Sequence, residues 1–224
     1  DKTGLICKLL KTTGTKVTLI TRPRRFGKTL TMSMLDNFFN IRKDSKNIFT
    51  ELEVAGQDAL CREWMNRWPV IFVSFKQVDG LDFASAYEML KQVVADVYKQ
   101  HLYLLESEKI AEFDKQIIRR LVERKGSEAE TKNSFGLLTN VMQAYYGQQV
   151  ILLMDEYDVP VAKANSNGYY TEMMDMMKGI MQPLKDNPAL RFAVITGCLK
   201  IAKESIFTGT NNFVSDTITD SRLN

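Results

Sequence analysis

The sequence predicts an α/β fold in which a mostly parallel central sheet is flanked by helices, and three observations predict it. The 224 residues are 45% hydrophobic and 25% charged, which is the composition of an ordinary globular domain. Short apolar runs alternate along the chain with segments of helical periodicity, as they do when strands are joined by helical crossovers. Residues 150–154 are apolar throughout, which is typical of a strand at the centre of a sheet.

The predicted elements follow one another in a regular order. The predicted strands are residues 16–21, 70–75, 150–154 and 191–196. The predicted helices are residues 30–40, 82–107, 110–124, 133–146 and 170–185. Beyond residue 207 the sequence is polar and weakly periodic, so no further strand is predicted there.

Residues 106–132 contain more helix than a single crossover requires. We interpret this segment as a helical insertion within one domain that spans residues 1–224. The abrupt end of the sequence after a polar stretch suggests that the chain is a fragment of a longer protein.

Composition excludes several classes of function. The 30 basic and 27 acidic residues leave a net charge of +3, too small to favour nucleic acid by bulk electrostatics. The three cysteines lie far apart, without metal-ligand or disulfide-framework spacing, which indicates a reducing compartment. The single histidine, His101, excludes a two-histidine metal site, and its place on an apolar stripe predicts a structural role.

Two further observations bear on location. The first residues lack the charged-then-apolar order of a signal peptide. No apolar run approaches the roughly 18 residues that span a bilayer. The sequence therefore predicts a cytoplasmic protein without a membrane partner.

The tripeptide Gly27-Lys28-Thr29 lies between the first predicted strand and the helix after it, the context of a phosphate-binding P-loop. In such a loop the N–H groups at the helix start and the helix dipole bind an anion. Gly27 lets the backbone approach the phosphate, and the Lys28 ammonium reaches the β and γ oxygens. The Thr29 hydroxyl suits Mg²⁺. Arg22 stands where this motif usually begins with glycine, and Pro23 follows it.

The neighbours of this tripeptide are assigned to the same nucleotide site. They are Arg24, Arg25, Phe26 and Leu30. For the arginines, contact with phosphate and an ordinary solvated or acid-paired position are equally consistent with the sequence.

A second motif closes the all-apolar strand, which ends in Asp155 and Glu156. In a P-loop nucleotidase the aspartate binds Mg²⁺, together with Thr29, and the adjacent glutamate polarises the water that attacks the γ-phosphate. An exposed acidic turn after a strand is the alternative interpretation. The occurrence of both motifs in the expected order, with Asp155 127 residues after Lys28, favours the nucleotidase.

The fourth predicted strand ends at Thr196, a candidate to sense the γ-phosphate or to orient the attacking water. A threonine selected for its β propensity is the alternative. Lys200 and Lys203 follow, and Lys200 is a candidate cation for the transition state, although a solvated lysine is common after a strand.

Taken together, these residues resemble the predicted AAA-ATPase-like family that is common in gut bacteria and their relatives. The resembling segments are Asp1-Lys2-Thr3, Thr21-Arg22-Pro23-Arg24-Arg25-Phe26-Gly27-Lys28-Thr29-Leu30, Asp155-Glu156-Tyr157-Asp158-Val159-Pro160, and Thr196-Gly197 with Lys200, Lys203, Ser205-Ile206-Phe207 and Asn211-Asn212. The similarity spans nearly the whole chain and makes Arg22 a family trait.

The resemblance implies a P-loop NTPase core of the additional-strand class, with Lys28, Thr29, Asp155 and Glu156 in the roles given above. It also implies a fifth strand and a small helical lid that are partly lost or cut short. Members usually carry a C-terminal restriction-endonuclease-like nuclease domain, which is absent from this sequence.

The sequence therefore predicts a bacterial ATPase that uses ATP and Mg²⁺ to drive a conformational change in an attached or partner effector. A nucleotide-gated switch with little hydrolysis is the alternative, and a small-acceptor kinase stays open. DNA is a further candidate partner, through the absent nuclease-like domain or through basic residues of this chain, namely the loop arginines Arg22, Arg24 and Arg25 with Arg119, Arg120, Arg124 and Lys125. No Asn-Lys-x-Asp sequence occurs, which favours adenine over guanine, and a homo-oligomer is left open.

Overall fold

The computed structural model of the protein describes residues 1–11, 17–21, 27–185 and 187–197, and the backbone of residues 213–217. The described strands are β1 (Val17–Thr21), β2 (Val70–Ser74), β3 (Val150–Asp155), β4 (Leu190–Gly197) and β5 (Phe213–Thr217). They form one sheet in the order β2-β3-β4-β1-β5, and every neighbouring pair is parallel. The α/β, P-loop-like fold class predicted from the sequence is confirmed.

Helices cover both faces of this sheet. The helices of the described chain are α1 (Gly4–Lys11), α2 (Lys28–Phe39), α3 (Lys46–Phe49), α4 (Asp58–Trp64), α5 (Phe83–Lys99), α6 (Glu112–Val122), α7 (Glu128–Lys132), α8 (Ser134–Tyr146), α9 (Val159–Asn167) and α10 (Tyr170–Ile180). Short 3₁₀ turns occupy Glu53–Gly56, Leu102–Glu106 and Gln182–Leu184.

Strand β3 shows how the sheet supplies two hydrophobic cores. Val150, Leu152 and Met154 pack into a core with side chains from α5, α6, α8, α9 and α10. Ile151 and Leu153 point the other way, into a core with side chains from α1, α2, α3 and α4. Both faces are apolar because successive side chains of a strand alternate between the two sides of a sheet.

All four predicted strands are present, with ends that differ by at most one residue, but two predicted helices are too long. The helix predicted over residues 82–107 ends at Lys99, and a 3₁₀ turn follows over Leu102–Glu106. The helix predicted over residues 170–185 likewise ends at Ile180. Leu104, in the turn over Leu102–Glu106, is buried, so the apolar spacing continues beyond the end of the helix. The end of the helix therefore cannot be recognised from that spacing.

The residue pattern beyond position 207 predicts no strand, and that expectation is wrong, whereas a fifth strand is present as the family resemblance implies. Strand β5 pairs with β1 along its whole length, from Val17 opposite Phe213 to Thr21 opposite Thr217. Three of its five residues are polar, so its sequence lacks the apolar run that marks the central strands. It stands last in the strand order, at the edge of the described sheet, where fewer apolar residues are needed.

The segment predicted as an insertion, residues 106–132, holds α6 and α7. Ile118 and Leu121 of α6 belong to the same core as α5 and α8. The interpretation of this segment as an insertion stays a prediction. Within the described ranges, no helix combines the length and the apolarity needed to cross a membrane.

Candidate functional site

The strand order brings the predicted polar residues to one edge of the sheet. Strand β4 lies between β1 and β3, and all three strands are parallel. Their carboxyl ends therefore meet at the same edge, where open α/β sheets bind ligands. Lys28 begins the helix that follows β1, Asp155 ends β3, and Thr196 is the penultimate residue of β4.

The start of α2 is described from Gly27 onward, and its backbone there is unusual. Gly27, at the N-cap, has φ 75° and ψ 21°, a left-handed conformation that strains residues other than glycine. Its carbonyl accepts bonds from the Thr31 backbone N–H at 2.9 Å and from the Thr31 hydroxyl at 3.0 Å. The N–H groups of the first helical turn remain directed beyond the helix end, which is the arrangement that binds anions.

Two threonines converge on the Asp155 carboxylate, which is 1% exposed. The Thr29 hydroxyl donates to Asp155 Oδ2 at 3.0 Å, and the Thr196 hydroxyl donates to Asp155 Oδ1. These bonds satisfy a carboxylate that is buried away from water, and burial without such partners would be costly. Residues predicted separately on three elements thus form one cluster.

A second pair stands beside this cluster. The Lys28 ammonium lies 3.7 Å from Glu156 Oε1, and Lys28 is buried at 4% exposure. The Glu156 side chain is 17% exposed, so solvent reaches its carboxylate more readily than it reaches Lys28. The cation predicted to bind phosphate is therefore in contact with the carboxylate predicted to activate water.

The backbone of Glu156 is unusual. Its φ of 57° lies in the left-handed region, which a side chain longer than that of Asn or Asp rarely adopts. Thr196 holds this turn, because its hydroxyl oxygen accepts from the Glu156 N–H at 3.4 Å and its carbonyl accepts from the Tyr157 N–H at 3.2 Å. Such conformations persist where surrounding contacts impose them, and they cluster at functional sites.

Close packing also immobilises the turn after β3. A Cβ placed on Gly197 would lie 2.5 Å from Cε1 of Tyr157 and 2.8 Å from Oδ1 of Asp158. The Tyr157 ring is fully buried, and burial raises the pKa of its phenol well above the usual range. Sequence reasoning assigned no role to Gly197, although glycine at a strand end is a signal of close approach.

Four residues predicted for the site lie outside the described residues. They are Arg24, Arg25, Phe26 and Lys200. The remaining loop residue, Leu30, is described, and its side chain is 67% exposed on the first turn of α2.

The donor atoms of Thr29 and Asp155 fit Mg²⁺. Both are hard oxygen donors, and their 3.0 Å contact shows that they reach one point. Mg²⁺ usually takes one or two protein ligands and completes its shell with phosphate oxygens and water. Among the described residues there is no cluster of three or more histidine, cysteine or acidic side chains suited to a metal.

The basic surface predicted for DNA is described only in part, because its loop arginines lie outside the described residues, and three of its other members form ion pairs. Arg119 contacts Glu112 at 2.7 Å, and Lys125 contacts Glu123 at 2.8 Å. Arg120 is paired with Glu130. These pairs compete with contacts to nucleic-acid phosphates.

His101 is buried, which agrees with the structural role that its place on an apolar stripe predicts. Its Nδ1 lies 3.2 Å from the Tyr103 hydroxyl. Burial, aided by the nearby Arg42, lowers the pKa of His101 to about 4, so the ring is neutral at neutral pH.

The parallel sheet, with β4 between β1 and β3 and helices on both faces, defines an α/β protein of the P-loop-like fold class. The model of the family described as Predicted AAA-ATPase matches residues 1–207, and the chain belongs to this family. Membership points to nucleotide binding and hydrolysis.

The chain is also similar to a protein of Azotobacter chroococcum mcd 1 described as an uncharacterized protein in the vnfD 5' region. The two are 31% identical over 224 residues, which is 99% of this chain and 37% of that protein. No solved structure matches the chain.

Proposed function

We propose that this chain is a Mg²⁺-dependent ATPase whose hydrolysis of ATP drives a conformational change in an attached or partner effector. One observation carries the proposal: Thr29 and Thr196 both bond to the buried Asp155 carboxylate, and Lys28 contacts Glu156 beside them. A structural role for these residues would not require a lysine, two acids and two hydroxyls to be gathered at the ligand-binding edge of a parallel sheet.

Binding begins at the start of α2. The triphosphate lies against the N–H groups that follow Gly27, and its β and γ oxygens attract the Lys28 ammonium away from Glu156. The triphosphate carries more charge than one carboxylate, so it competes effectively for the lysine. ATP binding therefore also frees the Glu156 carboxylate.

Thr29 and Asp155 are the residues that would hold Mg²⁺. The ion would neutralise charge on the β and γ phosphate oxygens. Thr196 keeps the Asp155 carboxylate oriented, since it donates to the oxygen that Thr29 does not contact.

Hydrolysis requires a base near the γ-phosphate, and Glu156 is the candidate. Its carboxylate accepts a proton from water as the water oxygen bonds to the γ-phosphorus, and the bond between that phosphorus and the bridging oxygen breaks to leave ADP. The strained turn after β3 fixes the direction of this side chain. Thr196, which contacts the same turn, is proposed to help orient the water.

The test is phosphate release at saturating Mg-ATP by the wild type and by Glu156→Gln. We expect the substitution to slow the rate by about 100-fold or more while ATP affinity is kept, because general-base catalysis contributes about 10²–10⁴-fold. Glu112→Gln, which alters an exposed and ion-paired glutamate on α6, is the matched control and should leave the rate unchanged.

Equal rates for the wild type and Glu156→Gln would reject the catalytic role of this residue. ATP binding without measurable hydrolysis by either protein would support a nucleotide-gated switch instead.

Three parts of the proposal are supported by the sequence alone. We propose adenine as the base and the cytoplasm as the location. The effector is proposed to be attached to this chain or to be a separate partner. DNA contact through the basic residues of this chain stays a prediction. A homo-oligomer of this chain, and DNA contact through a nuclease-like domain, stay predictions.

A further inference from the structure

We propose that a groove between α2, α3 and residues 1–3 binds the nucleoside part of the nucleotide, with the base against its apolar wall. This inference rests on the proposed function, because it requires the phosphates to lie at Gly27 and Lys28. It assigns a role to the Asp1-Lys2-Thr3 segment, which the phosphate chemistry leaves without one.

The groove has the size and lining of a small-molecule site. Its volume is about 410 Å³, within the range of about 300–1,000 Å³ usual for ligand pockets. Leu30 and Met34 of α2 and Ile48 and Phe49 of α3 form its apolar wall. Such a wall suits the flat face of a purine, which buries mainly apolar surface.

One face of α2 lines the groove and another face packs into the core. Leu30, Met34 and Asn37 stand at i, i+4 and i+7 and line the groove, whereas Leu35 and Phe38 point into the core. The groove therefore runs along α2 from the end that carries the phosphate loop.

Two contacts place the groove beside the phosphate loop. Leu30 directly follows Thr29, whose hydroxyl bonds to Asp155. The Lys2 ammonium lies 3.1 Å from the position that a Cβ on Gly27 would take. A nucleotide whose terminal phosphate faces Glu156 would therefore place its nucleoside in this groove, with Lys2 near the phosphate closest to the ribose.

The wall exposes hydrophobic surface that a ligand would cover. Leu30 is 67% exposed and Ile48 is 61% exposed, although both are large aliphatic side chains. Phe49 beneath them is buried. Covering such a patch removes apolar surface from water and favours binding.

Residues 1–3 form the opposite wall of the groove, and hydrogen bonds within the protein already hold them in place. Asp1 accepts a bond from the Glu53 N–H at 2.6 Å, and the Thr3 hydroxyl oxygen accepts from the Val54 N–H at 3.1 Å. Asp1 also accepts from the Thr3 backbone N–H at 2.8 Å. Because these bonds hold residues 1–3 to a 3₁₀ turn, little ordering is needed when a nucleoside binds.

The test separates the nucleoside from the phosphates. Calorimetry would measure the affinities of Mg-ATP and of Mg-tripolyphosphate, which lacks the nucleoside. Ile48→Gln should weaken ATP binding by about fivefold, and Met34→Gln/Ile48→Gln by about tenfold or more, since each change removes apolar contact with the base. Neither variant should change the affinity for tripolyphosphate.

Phe113→Gln is the matched control, because Phe113 is also a large exposed apolar residue, at 65%, but lies on α6. ATP affinity of Ile48→Gln equal to that of Phe113→Gln would overturn the assignment of the groove. Wild-type protein that binds tripolyphosphate as tightly as ATP would overturn it too, while leaving the phosphate loop supported. Failure of the wild type to bind either ligand would instead overturn the proposed function and this inference with it.

Discussion

Charged side chains are arranged differently at the carboxyl edge of the sheet and on α6. At the sheet edge, Lys28 and Asp155 are almost fully buried and contact residues from other parts of the chain. On α6, Arg119 and Glu112 contact each other with side chains that are 48% and 62% exposed. The comparison teaches that residue type alone does not identify a site, because water screens exposed pairs while buried groups must be placed by the fold.

His101 is a third kind of titratable residue, one that is buried but uncharged at neutral pH. It is nearly as well buried as the sheet-edge residues, and burial, aided by the nearby Arg42, lowers its pKa and keeps the ring neutral at neutral pH.

Removing the buried cation should have the largest effect. Lys28→Ala is expected to weaken Mg-ATP binding by about 100-fold or more, because a charge-assisted contact to phosphate is lost from a desolvated position. Thermal-shift titrations with Mg-ATP, Mg-GTP and Mg-ADP would show this, since ligand stabilisation grows as RT ln(1 + [L]/Kd).

Lys99→Ala, which removes an exposed lysine 3.0 Å from Asp96, is the control and should keep the full shift. The melting temperatures without nucleotide report any loss of folding stability. A nucleotide-dependent shift in Lys28→Ala as large as in the wild type would contradict the site.

Acid should destabilise the protein through His101. The pKa of this residue is lowered to about 4 in the folded state, below its usual value, so only the unfolded state takes up a proton as the pH falls toward 4. This difference should cost about 2 kcal/mol of unfolding free energy between about pH 7 and about pH 5. Above pH 7 the contribution of His101 to the pH dependence vanishes.

Urea unfolding of the wild type and His101→Gln at both pH values would measure this contribution. The variant should lose less stability on acidification than the wild type does. The same loss in both proteins would show that His101 does not titrate differently on folding.

The exposed pair on α6 should have the smallest effect. A double-mutant cycle on Arg119→Ala and Glu112→Ala is expected to give a coupling free energy below about 1 kcal/mol, as exposed ion pairs usually do. Phosphate release should not change in these variants. A coupling of several kcal/mol would mean that exposure does not distinguish the two regions.

Sequence reasoning found the four strands that carry apolar runs, because their residues are selected for burial on both faces. Periodicity missed β5, whose five residues include three polar ones, although the family resemblance implied a fifth strand. It also extended two helices into the 3₁₀ turns that follow Lys99 and Ile180. Sequence reasoning also proposed site roles for Lys28 and Asp155 from motif order, although it could not indicate which atoms would meet.

Periodicity and local motifs depend on residues that are near one another in the chain, so they sufficed to predict the α/β class and the reactive side chains at the strand ends. The folded chain was needed to show that β4 lies between β1 and β3, so that Thr196 bonds to Asp155. It also decided that residues 1–3 close a groove against α2. The physical reason is that strand order and the meeting of distant segments depend on how the whole chain buries its apolar surface.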